Sequence, residues 1–440
     1  MPYDATYYER FMPLAEERVA ERDRLTQKGL KRDRKALQRR SRQAQMVFVG
    51  LGIALLVLLA FVAAARWLRR KRVREARRDE VLRACAMEPP GETIFVCIAA
   101  YRGVDGAHAI RSLFARARCP SRVYVGVVHH ADGELGDPDL LDTYATLAAN
   151  WNDPLILVDH VRVERVNLRD SDGAYASRML AYSKFFRDER YVLQLRADAV
   201  LSQDWDRILI DELKSTQDPR AVLSTMPPSY LPQERHARET QDPAPASFLY
   251  VSSVDAHGIP SFAPRVATGR PTRPMRSVGW SPVFSFARGE WVRALPPVRG
   301  KFLPKAAEAL RVYGSTWVAG WTVYAPCRVP VFVAPQHSIR EKPVADVEYG
   351  ESRRHDAASA AATFVQSMKQ QLQVNVLPEN GRSFPSFWRQ IGINIANGSA
   401  SSAARLGLSS ESSTDEILDK FGSMQEYTAS LEAVGGNLAV

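Results

Sequence analysis

A chain of 440 residues with 45% hydrophobic side chains is long and apolar enough to bury a sizeable core, which excludes a disordered or fibrous protein. Its formal charge of +10 is unevenly placed: residues 1–80 hold 20 Lys and Arg against 10 Asp and Glu, and the rest balances at 39 to 39. The globular part is therefore neutral and the basic excess belongs to a local anchor, which favours a membrane surface over a nucleic-acid-binding core.

Residues 1–45 alternate charge with Leu and Ala and end in Lys31-Arg32-Asp33-Arg34-Lys35, Arg39, Arg40 and Arg42. They read as a basic helix or solvated tail, free or held on anionic lipid. Met46 to Ala65 carries no charge and, at about 1.5 Å per residue, is long enough to cross a hydrocarbon core of roughly 30 Å. A transmembrane helix is predicted there, over 46–66. Basic residues follow it (Arg66, then a run from Arg69 to Arg72) instead of the small-residue cleavage site of a signal peptide. Eight Lys and Arg in 26–45 face nine in 66–85, so the positive-inside rule assigns no orientation. Residues 67–92 form a stem that breaks at Pro89-Pro90-Gly91.

Beyond the stem, apolar runs of strand length alternate with helical spacing. Thr93 to Ala100 reads as a strand, Ala107 to Ala117 as a helix and Arg122 to Val128 as a strand. Strand-like segments follow at Leu155 to Val158 and Val161 to Val166, then a helix over Gly173 to Phe186 and a strand over Tyr191 to Leu195. Asp204 to Ser215 is helical and Ala221 to Thr225 extended. Residues 229–277, rich in Pro, Ser and Arg, predict a long mobile loop over one face. Apolar strand-like runs return at Val283 to Phe286 and Trp317 to Val333, followed by helices over Ala357 to Leu372 and from Thr414. The pattern is that of an α/β sheet with covering helices. Four cysteines (Cys85, Cys97, Cys119, Cys327) show neither CxxC nor zinc spacing; Cys97 lies in an apolar run and reads as a buried thiol, and the sequence leaves pairing open. Asn397-Gly398-Ser399 is a glycosylation sequon.

The Tyr191 strand delivers Arg196-Ala197-Asp198 to its carboxyl end, where α/β sheets bind ligands and where a nucleotide-bound metal would sit. Tyr101-Arg102 ends another strand: an aromatic there can stack on a base and the arginine can meet phosphate. His129-His130 also ends a strand, but no acidic partner has recognisable spacing, so the pair reads as structural.

The ordered series IFVCIAAYRG, RVYVGVV, GAYASRMLAYSKFFRDERYVLQLRADAVLSQDWD, VLSTMPPSY, SPVFSFARGEWV, GWTVYAPCRVPVFVAPQH and LGLSSESSTDEILDKFGS resembles the polypeptide (hydroxyproline or Thr/Ser) α-N-acetylglucosaminyltransferases of the Skp1-modifying type over roughly 93–428. The resemblance implies a GT-A fold, an α/β nucleotide-sugar-binding mixed sheet with flanking helices, preceded by one transmembrane helix. It also implies a UDP-sugar donor, UDP-GlcNAc first, a divalent Mn2+ or Mg2+, a protein hydroxyl acceptor and transfer with retention. A single-pass, type II protein follows, with a cytoplasmic N-terminus, membrane lipid around 46–66, a catalytic domain in the Golgi or another secretory compartment, and no nucleic-acid partner. On this reading the domains are 1–45 tail, 46–66 transmembrane helix, 67–92 stem, 93–345 GT-A domain and 346–440 helical extension.

Position by position, Tyr101 and Arg102 match the family's strand-end pair near the nucleotide, and Arg178 its diphosphate-facing helix arginine. Asp198 matches the last position of its metal motif, Trp205-Asp206 its WD, Glu308 the first of an acidic pair near the acceptor, and His337 a metal or diphosphate histidine. Three positions depart: Arg196 replaces a metal-motif Asp, Ala309 the second Glu, and Val283 a Gly. An arginine can neutralise phosphate without metal, so the altered motif leaves two alternatives: a metal-independent transferase, or a degenerate one kept as a membrane-bound binding or scaffold protein.

Overall fold

The computed structural model describes residues 5–297, 305–335 and 382–434, apart from positions 104, 152, 240, 395 and 410, together with isolated positions 359, 363 and 366. The chain falls into two compact units, residues 1–73 and 74–440. One helix, α1 (Ala5–Ala86), begins in the first and ends in the second. The basic N-terminal segment is thus helical from Ala5. Within α1 the apolar side chains from Leu51 to Phe61 are exposed, and the stretch Leu51–Ala86 is long and apolar enough to cross a membrane.

The second unit is a mixed α/β domain. In chain order it forms β1 (Ile94–Tyr101), α2 (Asp105–Arg116), β2 (Val123–His130), α3 (Leu140–Asn150), β3 (Val161–Val166), α4 (Ala174–Phe185), β4 (Tyr191–Arg196), β5 (Val200–Leu201) and α5 (Trp205–Ser215). Then come β6 (Ala221–Ser224), α6 (Arg235–Glu239), β7 (Ala244–Pro245), β8 (Ser247–Val254), β9 (Pro260–Val266), β10 (Met275–Arg276), β11 (Phe284–Arg288), α7 (Lys305–Val318), β12 (Thr322–Ala325), β13 (Arg328–Val329) and β14 (Val331–Phe332). The central sheet runs β10-β12-β6-β11-β4-β1-β2-β3. β3, β2, β1 and β4 are parallel, and β11 enters antiparallel between β4 and β6. The expected mixed sheet with flanking helices is what the chain forms.

A strand covered on both faces has no solvent side, so β1 is a continuous apolar run. Ile94, Val96 and Ile98 pack toward Ile110, Leu113, Trp205 and Leu209. Phe95 and Cys97 face the opposite layer with Tyr182, Leu310, Tyr313, Phe387 and Trp388. Gly126 of β2 lies under Phe95; a Cβ there would come within 2.5 Å of the ring, which is why the apolar strand is interrupted by glycine. Cys97 is a buried free thiol, its pKa pushed up to about 12 by burial.

Three segments differ from the sequence expectation. Residues 229–277 are no open loop: they contain α6 and the antiparallel β8–β9 hairpin, whose Phe248, Leu249 and Val251 are buried. Prolines 260 and 264 are tolerated because β9 pairs on one side only. Leu155 to Val158 forms no strand; the Leu157 N–H instead donates to the buried Tyr144 hydroxyl at 3.0 Å. Trp317 belongs to α7, and the strand run starts only after Gly320, whose φ of 86° turns the chain. The helix expected over Ala357 to Leu372 lies almost wholly outside the described residues.

Cys85 and Cys119 are joined as a disulfide with Cα atoms 4.5 Å apart, closing a ring around β1 and α2. The Asp206 carboxylate, fully buried, sits beside it and accepts from the N–H groups of Arg118 (2.8 Å) and Cys119 (3.0 Å) and from Arg122 Nη2 (3.0 Å). The C-terminal helices Thr414–Phe421 and Met424–Ala433 pack on β8 and β10 through Phe421 and Leu431. Buried Lys420 pins this layer by donating to the carbonyls of Arg276 (2.9 Å) and Gly407 (2.7 Å), and burial lowers its pKa to about 8.

Candidate active site

Parallel pairing in register brings several strand ends to one edge of the sheet. Tyr101 lies opposite His130, and Ala99 opposite Arg196, so Tyr101-Arg102, His130 and Arg196 emerge from β1, β2 and β4 together. Carboxyl ends of parallel strands are where α/β sheets hold ligands. Beyond Arg196 the chain turns, with Ala199 N–H donating to the Arg196 carbonyl, and β5 then pairs with β14. That pairing sets Ala334 against the turn.

The turn is closed by its own charges. Arg196 donates from Nε to Asp198 Oδ1 (2.5 Å) and from Nη2 to Oδ2 (2.7 Å), and Nη2 also reaches the Ala334 carbonyl. Asp198 Oδ2 accepts the Ala334 N–H at 3.2 Å, and the Asp198 carbonyl accepts the Tyr230 hydroxyl at 2.8 Å. Both oxygens of a carboxylate only 6% exposed are thereby taken. The described residues do not fit a divalent cation at this turn: Asp198 already holds a guanidinium, and nowhere among those residues do three or more His, Cys, Asp or Glu gather as ligands. His337 falls outside the described residues.

Behind the turn, Arg178 of α4 meets Glu308 of α7 in a buried ion pair. Desolvation alone would lower the arginine's pKa; the Glu308 charge overrides it and raises it. Cys97 Sγ lies 3.7 Å from the Arg178 carbonyl, and Tyr182 beside them donates to Gln194 at 3.4 Å. Lys305, at the start of α7, interacts electrostatically with Arg196, Arg178, Glu308 and Asp198, so these five groups form one neighbourhood. Its side chain keeps solvent access, yet partial desolvation and then the Arg196 charge pull its pKa below the ordinary lysine value.

Arg102 takes a different partner. Its φ of 44° is left-handed, and its Nε donates to Asp137 Oδ1 and Oδ2 at 2.9 and 3.0 Å. Asp137 is held in turn by Asp132 N–H. Arg102, Arg178 and Arg196 thus each face a carboxylate of this chain. A neighbouring cavity is lined by Val128 and His130 of β2, Val166, Asp170, Asp172 and residues of α4 including Ser177. His130 Nε2 lies 2.7 Å from Ser177 Oγ, and Trp205, of the pair that matches the family's WD, is buried in the core around α5.

Sequence reasoning passed over Lys305 and set His130 aside as structural. Lys305 carries no motif; only the charge of its neighbours marks it. His130 ends a strand aligned with Tyr101, which was a usable signal. Burial, then the His129 ring, pushes its pKa down to about 4. Its unfolded value is about 6.5. The unfolded chain therefore takes up a proton, and the folded one does not, as pH falls through 6.5 toward 4. Stability should drop in that window by on the order of 2 kcal/mol. In His130→Gln this component should vanish, measured as a smaller difference in urea midpoint between pH 7.5 and 4.5.

A family model described as Glycosyltransferase (GlcNAc) matches residues 93–150 and 141–380, which contain this whole strand-end edge. The chain belongs to the glycosyltransferase (GlcNAc) family. No curated protein matches it significantly. Solved glycosyltransferases are similar at low identity. GalNAc-T7 with UDP, GalNAc and Mn2+ is 14% identical over 69% of this chain, with a TM-score of 0.43; the chain spans 57% of that protein. The mannosyltransferase PcManGT from Pyrobaculum calidifontis, in complex with GDP-Man and Mn2+, is 12% identical over 70% of this chain and 86% of its own, at TM-score 0.32. S. aureus TarS 1–349 is 10% identical over 78% of this chain and 91% of its own, at TM-score 0.33. Within the glycosyltransferase (GlcNAc) match, Tyr101, Arg102, Arg178, Arg196, Asp198 and Glu308 all lie inside the matched span.

Proposed function

We propose that this protein is a membrane-anchored GT-A glycosyltransferase of the polypeptide-modifying type, moving GlcNAc from UDP-GlcNAc to a protein hydroxyl with retention. The observation that carries the reading is the family match across 93–380, which spans the strand ends where Tyr101, Arg102, Arg196 and Asp198 emerge. The reaction breaks the bond between the anomeric carbon and the diphosphate, and the departing UDP must have its growing negative charge met. Arg196 at the end of β4 and Lys305 at the start of α7 are the cations we assign to that charge. In a retaining route the leaving phosphate oxygen takes the acceptor proton, so no strong protein base is required. Glu308 serves by fixing Arg178 and the start of α7. The exposed apolar stretch of α1 anchors the chain, and the Cys85–Cys119 bond suits a catalytic unit in an oxidising secretory lumen with the N-terminus cytoplasmic.

The test is full-length chain in detergent, incubated with UDP-GlcNAc and Ser-, Thr- and hydroxyproline-containing peptides. Expected are UDP release and isotope transfer giving an α-linked product by NMR. Donor binding without transfer to any peptide would favour a second reading, a degenerate scaffold, for which the closed Arg196–Asp198 turn is the motivating observation. Absence of donor binding would eliminate the enzyme reading and leave the scaffold.

A further inference from the structure

We propose that the diphosphate of the nucleotide sugar is held without a divalent metal, its charge met by Arg196 and Lys305 of this chain. The inference rests on the nucleotide-sugar reading above and concerns what balances the charge within it. Three observations carry it. First, the carboxylate that would bind a metal is engaged twice by Arg196 and once by a backbone N–H. A divalent ion at Asp198 would have to displace a guanidinium and then sit beside it, a like-charge contact that is unfavourable at a largely buried site.

Second, Arg196 is clamped rather than free to fold away. Two bonds to Asp198 and one to the Ala334 carbonyl fix the guanidinium plane, while Nη1 makes no hydrogen bond among the described residues and the side chain is 20% exposed. A fixed planar donor loses little freedom on meeting an oxyanion. Third, Lys305 is solvent-accessible, makes no ion pair among the described residues, and opens α7 one helical turn before Glu308, the residue that holds Arg178. Arg178 is paired with Glu308 and Arg196 with Asp198, so of these groups Lys305 is the cation with no carboxylate partner among the described residues. A diphosphate has the charge and the spacing of oxygens to meet the open Nη1 edge of Arg196 and the Lys305 ammonium together.

The experiment is UDP binding by calorimetry on the full-length chain in detergent, in EDTA and again in Mn2+. The expected result is a Kd that agrees within about threefold between the two buffers, since no ion is linked to binding. Lys305→Gln and Arg196→Gln should each weaken binding in EDTA about tenfold or more, the scale of one charge-assisted hydrogen bond. Arg196→Gln leaves Asp198 without its clamp and risks misfolding; Lys305→Gln alters only an accessible side chain, so the test survives failure of the first variant. Arg196→Asp should convert UDP binding to Mn2+-dependent, seen also as loss of the free Mn2+ signal in electron paramagnetic resonance. Wild-type binding that appears only with Mn2+ overturns this proposal and leaves the transferase reading standing. EDTA-insensitive binding unchanged in both Gln variants also overturns it. No UDP binding in either buffer removes the nucleotide-sugar reading itself.

Discussion

Removing the Glu308 carboxylate alone is expected to cost about 3–5 kcal/mol of folding stability, among the largest effects any single substitution in this chain should produce. The residue is 3% exposed and its partner Arg178 6%, so Glu308→Ala leaves a guanidinium buried without its counter-charge. Much of that cost is desolvation of the survivor, not the worth of the pair. The double substitution Arg178→Met with Glu308→Leu should therefore recover most of the loss, because two apolar side chains of similar volume replace both charges. Urea denaturation followed by tryptophan fluorescence gives both numbers. A single-variant loss below about 0.5 kcal/mol, the range of surface changes, would show that the pair is not buried in solution.

Asp206→Ala should rank second, at about 3–4 kcal/mol. Its carboxylate satisfies two backbone N–H groups and Arg122, all within 3.0 Å, at a site with no solvent exposure. The methyl group of alanine offers none of them an acceptor. Asp206→Asn keeps one acceptor oxygen but turns an NH2 toward a donor, and should fall between alanine and the parent. Thermal melts should drop by roughly 5–10 °C for Asp206→Ala. By comparison Asp211→Ala, which removes an exposed partner of Arg207 on the same helix, should shift the melt little. Equal losses at both positions would mean that burial is not what makes Asp206 matter.

The sheet was largely legible because its signals are local. β1, β2 and β4 are apolar runs bounded by charge, and α2, α4 and α5 lie within a residue or two of their predicted spans. The hairpin of β8 and β9 was hidden because Pro, Ser and Arg around it masked the few residues, Phe248, Leu249 and Val251, that enter the core. Strand ends were equally legible, and so was the departure at Arg196. What those side chains hold was not, since each partner is supplied by the fold. Asp137 reaches Arg102 across 35 positions, Glu308 reaches Arg178 across 130, and the Arg196 clamp depends on the turn that brings Ala334 alongside. Trp205-Asp206 shows the converse. It matches the family's WD by sequence, and the fold shows why the pair is needed: the indole N–H donates to the Leu113 carbonyl and the carboxylate caps the chain near Cys119.

The Cys85–Cys119 bond has a consequence for how the domain can come apart. Its ring contains an interior strand of the sheet and the helix that covers it. A protease nick anywhere between the two sulfurs would leave the pieces covalently tethered, so that segment could not be lost by cleavage until a reductant arrived.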